Sequence, residues 1–566
     1  MGASDGGHRG AGEGGAGEWQ GATLRGAFET ALRKYRHRVA VETDGTEYTY
    51  GELDRRANAI ANGLAEQDIG PGDRVALLMA NRVEFVVMGL ALNKAGAVML
   101  PLNSMLTNDE YEYMLSDAGA ETVVAGPYFL DRVAGISEAI PAERFLAIGT
   151  GDRDLPEGFA DADELGGDPD APPDVSLAPA DVAGHFYTGG TTGKPKGVIH
   201  THRAMTMNAY SHVMELEITG EDSLLLMTPL THSAGLFLWA ALLSGATCHV
   251  RSGFDPGLAL SEIAEYGITW TFMVPTMIYR TLDHEALETT DTSSLETLIY
   301  GAAPMTAGRL REGIEAFGPV FAQFYGQTEC PNLITSMGKA EHRMAVAGGG
   351  DGNDGDGDGG GDRSEGDSGS GDGPGEELLS SAGQSCLMTD VRIVDPRTGE
   401  PVGVNEEGEI AVAAPYTLTE YHDLPEKTDE ALDDGWLRTG DLGRIDEAGY
   451  VSLLDRKSDM IITGGMNVYS TNVEEALDEH PDVGQVAVIG VPDEKWGEAV
   501  TAIVVPREEG GVSADGIKEF ADGRLADYKK PKSVELVSNL PTTPYGKVDK
   551  QALREPYWEG EEREIG

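Results

Sequence analysis

Short apolar runs alternate with longer amphipathic segments along the first two thirds of the 566-residue chain. Before residue 130, the runs RVALLMA, VMLPLN and TVVAG are separated by EFVVMGLALNKAGA and by a further helical stretch. After residue 220 the alternation returns in DSLLLMTPL, ATCHV, ITWTFMVP and TLIYGAA. Apolar strands that alternate with helices are typical of parallel sheets covered on both faces. The pattern therefore predicts two doubly wound α/β sheets.

The pattern changes after Leu387, where DVRIVDPRTGEPV, GEIAVAA and GYVSLLDR are short strands joined by Gly and Pro turns. This spacing indicates a small antiparallel barrel. Beyond Asp455, NVEEALDEHP and ADGIKEFADGRLADYK are predicted helices, and QVAVIGVPD and TAIVVP are predicted strands. We therefore expect a large domain over 22–455 and a small, mobile α+β domain over 456–566.

Two segments lack the apolar content of a folded unit. Residues 1–21 are Gly-rich, without the apolar core of a signal peptide, and are predicted to form a disordered tail. Residues 348–377 hold fourteen glycines and ten acidic residues against one arginine, which predicts a disordered surface insertion. Five of its residues match the spacing of an EF-hand calcium loop: Asp354, Asp356, Asp358, Gly359 and Glu365. Without flanking amphipathic helices, weak counterion condensation is favoured over specific calcium binding.

The charge balance excludes some partners. The chain has 96 Asp and Glu against 42 Lys and Arg, a formal net charge of −54, whereas nucleic acid and anionic membranes require a basic face. Because molar salt screens such self-repulsion, the composition fits a halophile's cytoplasm, and a merely acidic mesophilic protein is the alternative.

Cysteine usage and hydropathy add two expectations. Cys248, Cys330 and Cys386 are scattered, which indicates neither a disulfide framework nor a zinc site and fits a reducing compartment. The most apolar stretch, 224–243, carries Thr, Pro, His and Ser in its middle and has no basic flank. It therefore predicts a buried strand followed by a helix rather than a membrane span.

Residues 187–197, YTGGTTGKPKG, resemble a P-loop but depart from it at both ends. The position of the first glycine is occupied by Thr188, and Pro195 stands where a Ser or Thr would ligate Mg²⁺. What remains is a Gly/Thr loop with Lys194 and Lys196, which can wrap an anion through backbone N–H groups and hydroxyls. A hydrophilic hairpin turn is the alternative.

Five further stretches suit the handling of a nucleotide triphosphate and a carboxylic acid. YGQTE places Thr328 beside Glu329, whose oxygens are ligands that Mg²⁺ prefers. GAAP follows an apolar strand, and its small residues would let a flat base approach the backbone. GWLRTGDLG holds Asp441, which could grip two ribose hydroxyls, and DRKSD holds Arg456. LPTTPYGKVDK offers Lys547 on a loop that a moving small domain could carry into the site.

These motifs, in this order, resemble those of the adenylate-forming family of acyl-CoA synthetases. The resemblance covers residues from about 22 to 555 without the acidic stretch, and DRKSDMIITGGMNVYSTNVEE and PTTPYGK carry its carboxyl-terminal part. It implies that a carboxylate attacks the α-phosphorus of MgATP to give an acyl-adenylate and pyrophosphate. The small domain then rotates, and the thiol of coenzyme A displaces AMP.

The resemblance also implies a role for each matching residue. Lys547 would bridge the carboxylate and the α-phosphate, Thr328 would touch phosphate, and Glu329 would bind Mg²⁺. The implied nucleotide contacts are Thr188, Gly189, Gly190, Thr191, Thr192, Gly193 and Lys196 at the phosphates, Asp441 and Arg456 at the ribose, and Gly301, Ala302, Ala303, Pro304, Tyr325, Gly326 and Gln327. Gly464 and Gly465 would line the pantetheine tunnel, with an ordinary turn as the alternative. His232 matches a gate or acid-pocket position, although an isolated core histidine is also possible.

Two departures and several alternatives stay open. Gly189-Gly190 stands where relatives usually have Ser-Gly, and Ser458 stands where the hinge residue is usually Asp or Lys.

The apolar run 235–243 favours a medium-chain or long-chain fatty acid, or a related apolar acid. An aryl acid or a non-CoA acceptor is the alternative, and a noncatalytic nucleotide- or calcium-binding module is disfavoured. We expect a cytoplasmic enzyme without transmembrane segment or nucleic-acid partner, and the sequence gives no oligomeric state.

The halophile hypothesis predicts that the melting temperature rises between low and molar KCl, because salt screens the repulsion among the acidic residues. Thermal unfolding monitored across a KCl series measures this. A melting temperature that does not rise would contradict the hypothesis and leave a merely acidic protein.

Overall fold

The computed structural model of the protein describes residues 23–188, 194–303, 305–348, 374–493, 495–507, 510–522, 524–543 and 547–558. The predicted amino-terminal tail and the EF-hand-like spacing lie outside these residues, and so does most of the acidic stretch. The two ends of the acidic stretch are helical: one helix ends at Gly348, and another spans Pro374–Leu379.

The helices are α1 (Leu24–Lys34), α2 (Tyr50–Glu66), α3 (Val83–Ala95), α4 (Asn108–Ala118), α5 (Leu130–Ile136), α6 (His202–Glu215), α7 (Ser233–Ser244), α8 (Pro256–Tyr266), α9 (Pro275–Leu282), α10 (Ala307–Phe317), α11 (Lys339–Gly348), α12 (Pro374–Leu379), α13 (Pro425–Ala431), α14 (Ser470–Asp478), α15 (Ala514–Ala521) and α16 (Lys550–Trp558).

The strands are β1 (Val39–Thr43), β2 (Thr46–Thr49), β3 (Arg74–Leu78), β4 (Val98–Pro101), β5 (Thr122–Ala125), β6 (Arg144–Ala147), β7 (Phe159–Asp161), β8 (Val182–Tyr187), β9 (Gly197–Thr201), β10 (Ser223–Leu226), β11 (Thr247–Val250), β12 (Trp270–Met273), β13 (Thr297–Gly301), β14 (Phe321–Tyr325), β15 (Thr335–Met337), β16 (Gln384–Ser385), β17 (Asp390–Val394), β18 (Gly408–Ala413), β19 (Glu420–Tyr421), β20 (Leu432–Asp433), β21 (Trp436–Ile445), β22 (Val451–Arg456), β23 (Ile461–Thr463), β24 (Met466–Val468), β25 (Val483–Asp493), β26 (Gly497–Pro506) and β27 (Ser533–Leu536).

Two large, mostly parallel sheets form the body of the chain, as the apolar runs predicted. The eight-stranded sheet has the order β19-β9-β8-β4-β3-β5-β6-β7, and the nine-stranded sheet has the order β16-β15-β14-β13-β12-β10-β11-β1-β2. Their central strands are parallel and almost wholly buried because helices cover both faces. The stretch 224–243 is the buried strand β10 followed by α7, which confirms that prediction.

Local signals in the sequence fix where the helices begin and end. Thr49 and Thr107 open α2 and α4 with capping boxes, each completed by a glutamate three residues on. Left-handed glycines end α3, α4, α7 and α8. Helix α3 is buried along its whole length, and its sequence is mostly apolar, with Glu84, Asn93 and Lys94 as its buried polar residues.

Two smaller sheets follow the parallel ones. The third sheet, β17-β18-β21-β20 with β22 paired to β21, is antiparallel throughout, in the region where the short strands predicted it. The fourth sheet, β24-β23-β26-β25 with β27 paired to β26, has its own apolar core with α14 and α15. A separate core accounts for a small α+β unit at the carboxyl end.

The predicted helix ADGIKEFADGRLADYK extends beyond the helix that the structure shows. Helix α15 ends at Ala521, and Asp522 is already extended, with ψ 123°. Gly523 follows in the sequence, and a glycine disfavours helix continuation by about 1 kcal/mol relative to alanine. Among the helices that the structure describes, none has the length and apolarity that a bilayer crossing requires.

A buried ion pair ties α16 to the segment between the third and fourth sheets. Arg554 Nη1 lies 2.7 Å from Asp459 Oδ1 and donates to the carbonyl of Ser458, at 3.3 Å. Both charged residues are 8% exposed. The residue at the expected hinge position, Ser458, is therefore held to α16 through its backbone.

The substitution Asp459→Asn should destabilise the small unit by about 3 kcal/mol, because it leaves the Arg554 charge buried without its counterion. Urea unfolding followed by tryptophan fluorescence measures the loss. Glu519→Gln, which removes the same charge from an exposed position on α15, is the matched control. Equal midpoints for the two variants would contradict a stabilising role of the pair.

Candidate functional site

The ends of two neighbouring parallel strands form the floor of the site. Strands β13 and β14 pair with Gly301 opposite Phe324, so GAAP and YGQTE leave the sheet side by side. Carboxyl ends of parallel strands are the usual ligand-binding edge of a doubly wound sheet. Gly326 must be small, because a Cβ there would lie 2.3 Å from the Asn332 carbonyl oxygen. Pro304 lies outside the described residues.

The carboxylate of Asp441 is held from two sides. Tyr325 Oη donates to Asp441 Oδ2 at 2.6 Å, and Gln327 Nε2 donates to the same oxygen at 2.7 Å. On the other side Arg456 Nε is 3.6 Å from Oδ1, because β21 and β22 pair with Asp441 opposite Arg456. Burial and the carboxylate raise the pKa of Tyr325 well above its usual range, so its hydroxyl remains a donor.

Tyr421, which the sequence did not identify as a site residue, contacts both Glu329 and Lys196. Tyr421 Oη donates to Glu329 Oε1 at 2.7 Å, and Lys196 Nζ lies 3.8 Å from the centroid of the Tyr421 ring. Burial lowers the pKa of Lys196, and the nearby Glu329 carboxylate opposes that shift. Tyr421 reaches this point because β19 pairs with β9. No local motif around Tyr421 signals that pairing.

The base of the Gly/Thr loop is a closed hairpin. Strand β8 ends at Tyr187 and β9 begins at Gly197, and these two residues pair. Thr188 N donates to the carbonyl of Lys196 at 3.0 Å, and Lys196 N donates to Thr188 Oγ1 at 3.2 Å. These bonds hold the two ends of the loop, Thr188 and Lys196, together where β8 and β9 meet. The candidate phosphate contacts Gly189, Gly190, Thr191, Thr192 and Gly193 lie outside the described residues, as does the Gly189-Gly190 departure.

Thr328 is anchored by its backbone. His200 Nε2 lies 2.9 Å from the Thr328 carbonyl oxygen, which can only accept, so Nε2 carries the hydrogen. Burial lowers the pKa of His200 to about 4, which keeps the ring neutral. This bond joins β9 to the segment that carries Thr328 and Glu329.

Lys547 comes to the large-domain residues from the carboxyl-terminal unit. Its loop is closed by a hydrogen bond from Thr543 N to the Lys547 carbonyl, at 2.7 Å. Burial and the Arg456 guanidinium lower the pKa of Lys547 to about 8, and the Asp441 carboxylate opposes them. The structure therefore gathers Lys547, Arg456 and Asp441 in one electrostatic neighbourhood.

His232 belongs to the same neighbourhood. Burial, with a smaller contribution from the Lys547 charge, lowers the pKa of His232 to about 4. Its Nε2 lies 3.1 Å from Asn103 Nδ2, which can only donate, so the neutral ring carries its hydrogen on Nδ1. His232 is the N-cap residue of α7, without a capping hydrogen bond from its side chain, and its predicted role at the acid stays a prediction.

Gly464 and Gly465 form the two-residue turn between β23 and β24. Both have positive φ, 58° and 80°, which suits glycine in such a hairpin. Gly464 N donates to the Trp496 carbonyl at 2.7 Å, and a Cβ on Gly464 would lie 2.9 Å from the Trp496 ring. The turn itself therefore accounts for both glycines, and their predicted role at coenzyme A stays a prediction.

A second polar cluster, which the sequence did not reveal, lies where the third sheet meets the carboxyl-terminal unit. Asp455 Oδ2 accepts from Ser470 Oγ at 2.7 Å, and Lys550 Nζ donates to the same Ser470 hydroxyl at 2.7 Å. Lys550 also pairs with Glu474 at 2.7 Å. Burial raises the pKa of Asp455 to about 6 despite the nearby Lys550. These contacts hold α14 and α16 against the end of β22.

Family models match most of the chain. Residues 28–422 match the AMP-binding enzyme family, and residues 472–547 match the AMP-binding enzyme C-terminal domain. The first range contains the loop, YGQTE and Tyr421, and the second ends at Lys547.

Individual relatives agree with these models. A medium/long-chain-fatty-acid–CoA ligase of Mycobacterium tuberculosis is 36% identical over 95% of this chain and 90% of its own. A feruloyl-CoA synthase of Amycolatopsis sp is 36% identical over 92% of this chain and 96% of its own. The crystal structure of ATP-bound MatB from Rhodopseudomonas palustris superposes with a TM-score of 0.81 at 32% identity, over 94% of this chain and 99% of that one. The chain therefore belongs to the AMP-binding enzyme family, the adenylate-forming acyl-CoA synthetases that its motifs resemble.

Proposed function

We propose that this enzyme joins a carboxylic acid to coenzyme A in two steps driven by ATP. In the first, a carboxylate oxygen attacks the α-phosphorus of ATP, so an acyl-adenylate forms and pyrophosphate leaves. In the second, the coenzyme A thiol attacks the acyl carbon, so a thioester forms and AMP leaves. The observation that carries this proposal is the convergence of Lys547 with Arg456 and Asp441, groups suited to an anionic substrate and a ribose.

The first step brings two anions together, so positive charge has to be concentrated at one point. The chain carries a net charge of −54, and its overall field opposes a triphosphate. Lys196, Arg456 and Lys547 would supply the local positive potential, with Lys547 between the carboxylate and the α-phosphate. Charge fixed in a buried site stabilises the developing transition state more than the same charge in water does.

Asp441 is proposed as the ribose ligand. Tyr325 and Gln327 bond to Oδ2, whereas Oδ1 faces Arg456, so the carboxylate is held in one orientation before a nucleotide arrives. Gly301, Ala302 and Ala303 would pass beneath the base, with Pro304 and Gly326 beside them. The Gly/Thr loop from Thr188 to Lys196 would enclose the β- and γ-phosphates, and Thr328 would touch phosphate.

Mg²⁺ is the proposed metal, held by Glu329. A single carboxylate that leaves room for phosphate oxygens and water fits this ion. Tyr421 fixes one oxygen of Glu329 by a hydrogen bond, which orients the carboxylate. When bound, Mg²⁺ would neutralise charge on the phosphates.

The acceptor step and the cellular setting are also proposals. Gly464 and Gly465 would line the path of pantetheine after the small unit turns about the segment around Ser458. His232, at the cap of α7, would border the acid. Three buried free thiols fit a reducing interior, and we propose the cytoplasm of a halophile, with the high acidic charge as support.

Lys547→Ala should lower acid-dependent ATP–pyrophosphate exchange by about 100-fold or more, because preorganised charge at the transition state is lost. Thioester formation from added acyl-adenylate and coenzyme A should change little. Lys34→Ala, which removes an exposed positive charge on α1, is the control for net charge. An equal loss in both half-reactions would contradict the role of Lys547 in adenylation.

The lowered pKa of Lys547 predicts a pH limit on the first step. Lys547 is cationic below a pKa of about 8 and loses its charge as the pH rises through that value. The kcat/KM for ATP in the exchange reaction should therefore fall above about pH 8, tenfold per pH unit. Thioester formation from acyl-adenylate should show no such decline. An exchange profile that stays flat to pH 9.5, or a decline shared by both steps, would contradict this assignment.

A further inference from the structure

Helix α4 contacts both ends of the Gly/Thr loop that joins β8 to β9. Tyr113 and Asp117 are four residues apart on this helix, so their side chains project from the same face. Tyr113 reaches Pro195, at the end where the loop returns to the sheet. Asp117 reaches Tyr187, the last residue of β8 before the loop. One face of α4 therefore contacts the chain where the loop leaves the sheet and where it comes back.

Tyr113 makes two contacts with the returning end of the loop. Its Oη donates to the Pro195 carbonyl at 3.0 Å, and Lys194 Nζ lies 4.9 Å from the centroid of its ring. A cation at this distance over a tyrosine ring is attracted to it. Burial and the Asp117 carboxylate raise the pKa of Tyr113, so its hydroxyl remains a donor. Tyr113 thus restrains both the backbone of Pro195 and the side chain of Lys194.

The departing end of the loop is fixed to the same helix. Tyr187 Oη donates to Asp117 Oδ2 at 2.7 Å and lies 3.0 Å from the Met114 carbonyl oxygen. The ring of Tyr187 stacks on His185, with 5.1 Å between the centroids. A Cβ on Gly197, which pairs with Tyr187, would lie 2.1 Å from His185 Nε2. The two strand ends are therefore closely packed and joined to α4.

The composition of the loop gives such restraint a consequence for binding. Residues 189–193 read GGTTG, and glycine loses more conformational entropy on ordering than any other residue. Ordering this loop around a triphosphate therefore opposes binding. Loop ends that are already fixed before the nucleotide arrives reduce that entropic cost.

We propose that Tyr113 is a positioning residue for ATP, which holds Lys194 and Pro195 so that the loop is prepared for the β- and γ-phosphates. The inference rests on the proposed ligase function and adds to it a residue from α4, outside the motifs that indicate the site. Tyr113 would act through the loop rather than on the reacting atoms. AMP has no β- or γ-phosphate, so the contribution of Tyr113 should be confined to ATP.

Two substitutions separate the contacts of Tyr113. Tyr113→Phe removes the hydrogen bond to Pro195 and keeps the ring beside Lys194, whereas Tyr113→Leu removes both contacts. The dissociation constant of MgATP, measured by titration calorimetry without an acid, should rise about 5-fold in the first variant and about 20-fold in the second. The dissociation constant of AMP should not change in either. The titration stoichiometry reports the folded fraction, so partial unfolding of a variant does not alter the ratio of the two constants.

Tyr50→Phe is the matched control. The Tyr50 hydroxyl also donates to a backbone carbonyl, that of Ala246 before β11, at 2.7 Å. Its loss should lower the melting temperature and leave both dissociation constants unchanged. Unchanged MgATP affinity in Tyr113→Leu, an equal loss of affinity for MgATP and AMP, or the same loss for MgATP in Tyr50→Phe would overturn the inference. A native enzyme that binds neither nucleotide would instead overturn the proposed function.

Discussion

The carboxylate of Asp441 is the point where three parts of the molecule meet. Tyr325 and Gln327 come from the end of the nine-stranded sheet, Arg456 comes from the third sheet, and Lys547 comes from the carboxyl-terminal unit. The pairing of β21 with β22 sets Asp441 and Arg456 opposite each other, so their spacing follows from strand register. If that register shifted by one residue, the two charges would face opposite sides of the sheet.

This arrangement explains how a strongly acidic protein can bind an anion. A net charge of −54 repels a triphosphate at long range, but salt screens that field, over about 10 Å at 0.1 M and about 3 Å at 1 M. In the proposed function, Lys196, Arg456 and Lys547 would act at close range. Lys196 lies over the Tyr421 ring, Arg456 lies beside Asp441, and Lys547 is within the electrostatic influence of Asp441. Burial lowers the pKa values of Lys196 and Lys547, although the nearby carboxylates of Glu329 and Asp441 act in the opposite direction.

The sequence predicted the parallel sheets because β4, β5 and β12 are buried on both faces and are therefore continuously apolar. It also placed Glu329, Asp441 and Lys547 in a nucleotide site, although only through the order of their motifs. It did not find Tyr421, because the hydrogen bond from Tyr421 to Glu329 joins residues that are more than 90 positions apart in the chain. The predicted helix extended past Ala521 because its hydrophobic periodicity continues there. Helix α15 ends at Ala521, two residues before Gly523 in the sequence.

The most direct test of the central claim is to follow both half-reactions over a panel of carboxylic acids in molar KCl. Acid-dependent ATP–pyrophosphate exchange reports acyl-adenylate formation, and AMP release with and without coenzyme A reports the acceptor. The account predicts exchange with a subset of the acids and AMP release that depends on coenzyme A. Exchange with no acid would contradict the enzyme assignment, and acid turnover indifferent to coenzyme A would contradict the thiol acceptor.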